Sequence, residues 1–260
     1  MNIIVVDDHV AAEEIVRGAL ASEGHSVRGI RTPDELEHIG DLEKYALAFV
    51  DLRFHTWSEN SGLLALRLLD EAGVPALIYS ADEEDNRLLF LLAAFQFYEP
   101  LALVPKSASS ADIRAIICTI GSGARPDTAA ARRYKPPRPG VPLLNRLIVR
   151  LGDLPLWQAI AEHTDRFAIA EAVQMSRSKV DDFLAEHFDI VGEIEETFGL
   201  RTPPQPLYGA PQGRTNAARS YAHRMPPLHS FAVVHRDFFQ DPEVEKLIEQ
   251  RDNPPTRRRR

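Results

Sequence analysis

Through the first 122 residues, short apolar runs alternate with amphipathic segments. Residues 3–6 are β-branched or aliphatic, end at Asp7 and Asp8, and predict a strand. Residues 10–20 then place apolar side chains at helical spacing. Glu13 and Glu14 fall near the start, where the helix dipole favours acids, and Gly24 follows where such a helix would stop. A second strand is expected at 26–30. Thr32-Pro33-Asp34-Glu35 is a helix start, with a hydroxyl at the cap and proline at the first helical position. Further strands are expected at 46–50, ending at Asp51, at 76–79, ending at Ser80, and at 101–104, just before Lys106. Helical spacing recurs at 63–72, 83–95 and 111–120. Five strand–helix units with nearly continuous apolar strands imply an α/β fold with a five-stranded parallel sheet covered on both faces.

The character of the chain changes after residue 122. Residues 123–140 carry Gly123, Pro126, Pro136, Pro137, Pro139 and Gly140 among Arg125, Arg132, Arg133, Lys135 and Arg138. They predict a basic linker, extended in its proline-rich part. Residues 141–200 return to helical periodicity and predict a small all-α domain. Residues 201–260 are a Pro- and Arg-rich extension. Its residues 241–251 suit one short helix, and the closing Arg257–Arg260 run reads as part of a disordered basic tail.

Composition narrows the function classes. At 44% hydrophobic and 26% charged, the chain has the material for a full globular core. The single Cys118 excludes an intrachain disulfide framework and points to a reducing compartment. Residues 1–6 lack the basic start and long apolar stretch of a signal peptide. The apolar run 88–95 is too short to span a bilayer as a helix, so a cytoplasmic protein without membrane contact is expected. A net charge of −8 argues against a globally basic nucleic-acid binder but leaves room for a local basic patch. His223, His229 and His235 lack metal-ligand spacing.

The candidate chemistry sits at the strand ends. A parallel sheet gathers what lies beyond its carboxyl edge into one crevice, here Asp7, Asp8, Asp51, Ser80 and Lys106. Three neighbouring carboxylates repel one another and call for a hard cation, for which oxygen ligands and water suit Mg²⁺. A carboxylate can act as a nucleophile and form an acyl phosphate. A lysine offers a point charge to phosphate oxygens, and a serine hydroxyl can donate to the same group. Phosphoryl transfer needs little beyond such positioning and charge stabilisation.

The segments Ile4-Val5-Val6-Asp7-Asp8-His9, Phe49-Val50-Asp51-Leu52, Ile78-Tyr79-Ser80-Ala81 and Val104-Pro105-Lys106-Ser107 occur in this order, each at a predicted strand. Together they resemble the signature segments of response-regulator receiver domains of the CheY-like type. The resemblance implies Asp51 as the phosphoacceptor, with Asp7, Asp8, Asp51 and the backbone carbonyl of Arg53 around Mg²⁺. Ser80 and Lys106 would bind the phosphoryl group, a histidine kinase would donate it, and the chain would not be a turnover enzyme. It departs from the pattern in several ways. The proline usual four residues after the phosphoacceptor is absent, and a glycine arrives late, at Gly62. Leu103 stands where an aromatic switch residue is common, and Pro105 precedes the lysine where proline often follows it. His55 and Trp57, in the loop after Asp51, are candidates for covering the site or meeting a partner, or are plain surface residues. Lys106-Ser107 and the isoleucines beyond are closer to NarL-type receivers.

Residues 168–180 have the rhythm of a helix-turn-helix, with a turn at Met175, Ser176 as cap, and Ala170, Val173, Val180 and Leu184 as the core between helices. They resemble the LuxR-type motif that accompanies NarL-type receivers, which implies promoter DNA as a partner and Arg177, Ser178 and Lys179 as DNA contacts. Asp181, Asp182, Glu186 and Asp189 then turn the same helix acidic, which phosphates would repel. Three readings stand: a phosphorylation-controlled transcription regulator, with a homodimer as one candidate form; a receiver with a protein-binding output; and a pseudo-receiver independent of phosphate.

Overall fold

The computed structural model describes residues 1–54, 58–81, 85–126, 128–200 and 216–253. Five strands form one parallel sheet: β1 (Asn2–Val6), β2 (Ser26–Ile30), β3 (Leu47–Val50), β4 (Ala76–Ser80) and β5 (Leu103–Pro105), in the order β2-β1-β3-β4-β5. Between and after them run α1 (Val10–Leu20), α2 (Pro33–Glu37), α3 (Gly62–Glu71), α4 (Leu88–Phe97) and α5 (Ser110–Gly121). The five-unit α/β reading therefore holds, down to the bounds of α1. The helix expected from residue 83 starts regular α-helix only at Leu88, after a 3-10 turn at Asp85–Arg87.

Strand alternation builds the two faces. Ile3 and Val5, with Leu47, Phe49, Leu77, Tyr79 and Val104, pack on Ala12, Val16 and Leu20 of α1 and on Ile113 and Ile117 of α5. The intervening Ile4, Val6, Ala48, Val50 and Ile78 are fully buried on the opposite side, where α3 lies on β3 and β4 with α2 and α4 beside it. Helix starts follow local chemistry. Ser61 caps α3 by accepting from the Leu63 N–H, and Ser109 and Asp112 form a reciprocal capping box on α5.

The chain divides into two compact units, residues 1–140 with 241–244, and residues 141–240 with 245–260. The first unit includes a helix that the linker reading did not anticipate, α6 (Ala129–Tyr134), capped by Thr128. The cause is α4. Leu88 through Phe95 are all buried, and a helix that is apolar all round must be covered all round. Tyr134 of α6 stacks on Phe95 at 6.2 Å and 17°. Residues 241–244 also belong to this unit, where buried Glu243 pairs with Arg67 at 2.7 Å.

The second unit is helical: α7 (Leu143–Leu147), α8 (Asp153–Glu162), α9 (Arg166–Ala172), α10 (Arg177–Phe198), α11 (Asn216–Val234) and α12 (Arg236–Gln240), with α13 (Pro242–Asp252) beginning in the first unit. Trp157 is its centre. The ring stacks on Phe239 at 5.1 Å and 5°, meets Phe183 edge-on at 5.3 Å, and donates from Nε1 to the Leu147 carbonyl. α13 matches the short helix expected at 241–251, whereas α11 and α12 are additional, the periodicity of α11 being masked by Pro226 and Pro227. The Arg257–Arg260 run lies outside the described residues. Among those described, no helix is long and apolar enough to cross a membrane.

If α6 is an integral part of the first unit, Tyr134→Ala should cost about 1–2 kcal/mol, from lost burial and ring stacking. Calorimetry should then show a lower unfolding temperature for that unit, and amide exchange should speed up at 129–134. An unchanged melt with unchanged exchange would mean that the segment is a tether.

Candidate functional site

The strand order reverses between β1 and β3, and in open parallel sheets the crevice at such a point takes the ligand. Asp7 follows the end of β1, and Asp51 the end of β3. The register Val6↔Val50 and the Asp51 N–H bond to the Val6 carbonyl at 2.9 Å hold the two ends level. Ser80 closes β4, and the Lys106 N–H donates to its carbonyl at 2.8 Å, which brings the end of β5 alongside. The backbone ladder thus brings Asp7, Asp51, Ser80 and Lys106 together, and Asp8 follows Asp7 in the chain.

Their geometry is tight. Carboxylate oxygens of Asp7, Asp8 and Asp51 lie within 4.8 Å of one another, and this is the one such group of potential metal ligands among the described residues. Lys106 Nζ is 2.6 Å from Asp51 Oδ2 and 2.8 Å from Asp7 Oδ2. The Leu52 N–H donates to Asp51 Oδ1 at 2.7 Å, and the His9 N–H to Asp7 Oδ1 at 2.9 Å. Asp7, Asp51 and Ser80 are at most 1% exposed, so these charges sit where solvent screens them weakly.

One residue of the crevice was not among those read from the sequence. Arg87, 4% exposed, donates from Nη1 to Ser80 Oγ at 2.6 Å and stands 3.4 Å from Asp51 Oδ1. The available signal was an arginine at the edge of the apolar run 88–95, where a buried charge needs a partner. The late glycine also gains a reason. A Cβ on Gly62 would fall 2.0 Å from the Asp51 backbone oxygen, and the Gly62 N–H donates to the Leu52 carbonyl. The loop after Asp51 thus returns over its own start and requires glycine there. Arg53 is half-buried in this loop. Its carbonyl remains an expected contact, and His55 and Trp57 lie outside the described residues.

Burial, then the neighbouring Asp51 charge, raises the Asp7 carboxyl above its ordinary 3.8, and Lys106 only partly offsets them. Burial pulls the Lys106 ammonium down, but Asp51 and Asp7 outweigh it and hold the group above its ordinary 10.5. Tyr79, one residue before Ser80, is raised by burial and then by Asp7. Its hydroxyl is buried with no hydrogen-bond partner among the described residues.

The helix-turn-helix residues lie in the other unit. Gln174 takes φ 52° and ends the helical run, the left-handed position where glycine is usual, and Ser176 accepts from the Lys179 N–H to start α10. Ala170, Val180 and Leu184 are buried as expected, whereas Val173, at the end of α9, is half-exposed. Arg177, Ser178 and Lys179 are exposed at the start of α10, with the Arg177 guanidinium 4.6 Å over the Phe167 ring. The inner face runs through Val180, Phe183, His187, Val191 and Ile194, and the outer face carries Asp182, Glu186, Asp189, Glu193 and Glu196.

No protein-family model matches the chain, and no curated protein matches it. Solved structures do. A Salmonella typhimurium RcsB response regulator, described for its conformational dynamism in DNA interaction, is similar over 74% of this chain and 93% of its own, with TM-score 0.51 and 17% identity. The isolated receiver domain of RcsB from Salmonella enterica serovar Typhimurium, with phosphomimetic BeF₃⁻, matches over 52% of this chain and 98% of its own, with TM-score 0.42 and 16% identity. At 17% identity the likeness to the first is one of fold: a five-stranded parallel sheet followed by a helical part.

The Asp7 shift has a definite sign. Between pH 3.8 and its raised folded value, the unfolded chain has released this proton while the folded one retains it. Stability is therefore lost as pH rises through that interval, and the loss is complete above it. In chelator at pH 7, Asp7→Asn should raise the melting temperature, by about 2–4 °C for each kcal/mol relieved. The gain should shrink as pH falls toward 4. A destabilised variant at pH 7, or a gain independent of pH, would contradict the assignment.

Proposed function

We propose that this chain is a phosphorylation-responsive regulator, in which Asp51 accepts a phosphoryl group from a histidine kinase and the helical unit delivers the signal to DNA. The observation that carries the reading is the crevice: a buried aspartate held on one oxygen by Lys106, beside two further carboxylates and the Ser80 hydroxyl. An Asp51 carboxylate oxygen attacks phosphorus and forms a P–O bond. The P–N bond to the kinase imidazole breaks, and its electron pair stays on that nitrogen. Lys106 and Ser80 then meet the new phosphoryl oxygens, and no bond of the chain itself is cleaved.

The acid cluster suits a hard divalent cation. Its donors are all carboxylate oxygens at close quarters, and Asp7 is disfavoured as an anion without further positive charge. Asp7, Asp8, Asp51 and the Arg53 carbonyl would hold Mg²⁺. When bound, it supplies charge neutralisation for the incoming phosphoryl group. Phosphorylation then biases a two-state receiver, changing self-association or release of the helical unit.

On this reading DNA meets the exposed Arg177, Ser178 and Lys179. The support is the capped turn between α9 and α10 and the run of basic and hydroxyl side chains that opens α10. Such a contact grips phosphates more than it reads bases. The acidic outer face beyond the first turn of α10 favours a second reading, in which the helical unit binds a protein.

Acetyl phosphate with Mg²⁺ should add a phosphoryl mass to the intact chain that is missing in Asp51→Asn. A wild-type chain that takes up none would make it a pseudo-receiver. Binding to promoter DNA should weaken steeply with salt. Neutralising Arg177 and Lys179 together should lower the slope of that dependence by about 2. No binding at low salt, alongside nuclease-resistant capture of a protein partner, would replace DNA with protein as the output.

A further inference from the structure

Lys106 and Arg87 approach opposite oxygens of Asp51. Lys106 stands on Oδ2, and Arg87 stands beside Oδ1, which also accepts the Leu52 N–H. The two cations come from the segments that follow the neighbouring strands β4 and β5. Lys106 follows β5, and Arg87 closes the turn between β4 and α4. Arg87 is the more buried of the two, its side chain 5% exposed against 22% for Lys106. The nitrogen nearest Asp51 also donates to the Ser80 hydroxyl, so Arg87 links Ser80 to the carboxylate that Lys106 holds from its other oxygen. Nothing in the neutral-serine and lysine chemistry read from the sequence requires this third group.

We propose that Arg87 is a second cationic ligand of the phosphoryl group on Asp51. The proposal rests on Asp51 being the phosphoacceptor. Phosphorylation replaces a single carboxylate charge with a group of nearly two charges and three acceptor oxygens, within the space that Arg87 already faces. A guanidinium presents five N–H donors in a planar fork, so it can take a phosphoryl oxygen while keeping, or in exchange for, its bond to Ser80. Buried charge-assisted bonds of this kind are strong. With Arg87 on one flank and Lys106 on the other, the acyl phosphate is shielded from hydrolytic water on both sides, and its lifetime is extended. Arg87 is therefore a ligand of the phosphorylated state as well as a counter-charge in the free one.

The test uses the full chain, acetyl phosphate and Mg²⁺, with intact mass followed after the donor is removed. Arg87→Gln should lose the phosphoryl group at least about tenfold faster than wild type, the loss expected from roughly one strong hydrogen bond. Arg87→Lys should fall between the two. A purely structural Arg87 would lower the melting temperature of the variant and leave the half-life of the phosphoryl group as it is, and that result overturns the proposal. A wild-type chain that takes up no phosphoryl group overturns both this proposal and the phosphoacceptor reading. Phosphorylation at Asp51 with equal half-lives in wild type and Arg87→Gln overturns only this one. Should Arg87→Gln fail to fold, guanidinium ¹⁵N resonances of the wild type decide. The Arg87 signals should shift on saturation with beryllofluoride and Mg²⁺, and signals that do not move contradict the proposal.

Discussion

Asp51 lies between two cations in a site almost closed to water, with Lys106 on one carboxylate oxygen and Arg87 by the other. Taking these charges out of solvent is costly, and their mutual attraction repays it only if the geometry is held firmly. The backbone does the holding. The bonds from Asp51 N–H to Val6 and from Lys106 N–H to Ser80 are rungs of the sheet itself, so the site cannot loosen without unzipping β1 from β3 or β4 from β5. Gly62 makes the same point from the loop side, since its lack of a Cβ lets α3 start against the Asp51 backbone. Burial, and then the neighbouring Asp51 charge, raise the Asp7 carboxyl, and this gives the crevice its appetite for further positive charge.

A second constraint shapes the rest of the first unit. α4 buries Leu88 through Phe95 on every side, so the sheet and α3 cannot cover it alone. The chain meets the need locally by folding α6 from a segment whose composition reads as a tether and setting Tyr134 against Phe95. The same helix carries Arg87 at its start. Packing that fixes α4 thus also fixes the guanidinium over Asp51, which links the apolar surface of the unit to the electrostatics of its crevice.

The sheet and most of the crevice were legible in the sequence because parallel topology turns strand-end residues into neighbours. Asp7, Asp51, Ser80 and Lys106 needed only the strand ends to be placed. Arg87 was not legible in this way. It sits in a turn rather than at a strand end, and its role depends on how the turn folds back. α6 was hidden by the arginines and prolines around it, and α11 by Pro226 and Pro227, whose usual meaning is a break. Trp157 shows why these segments fold nonetheless: without Phe231 and Phe239 from α11 and α12 its ring would lack two of its aromatic neighbours. The turn before α10 is legible from Ser176, whereas Val173 follows the last residue of α9 and so escapes the helical spacing that would bury it.

On the proposed function, the crevice is a cation and phosphoryl site and not a closed set of structural ion pairs. Titration of Mg²⁺ into the ¹⁵N-labelled full chain, followed by two-dimensional NMR, separates the two. Saturable shifts should appear at the amides of Asp8, Asp51, Leu52 and Arg53, and should vanish in Asp51→Asn. Amides that stay in place up to tens of millimolar Mg²⁺, far above the range a carboxylate site of this kind needs, would contradict the claim.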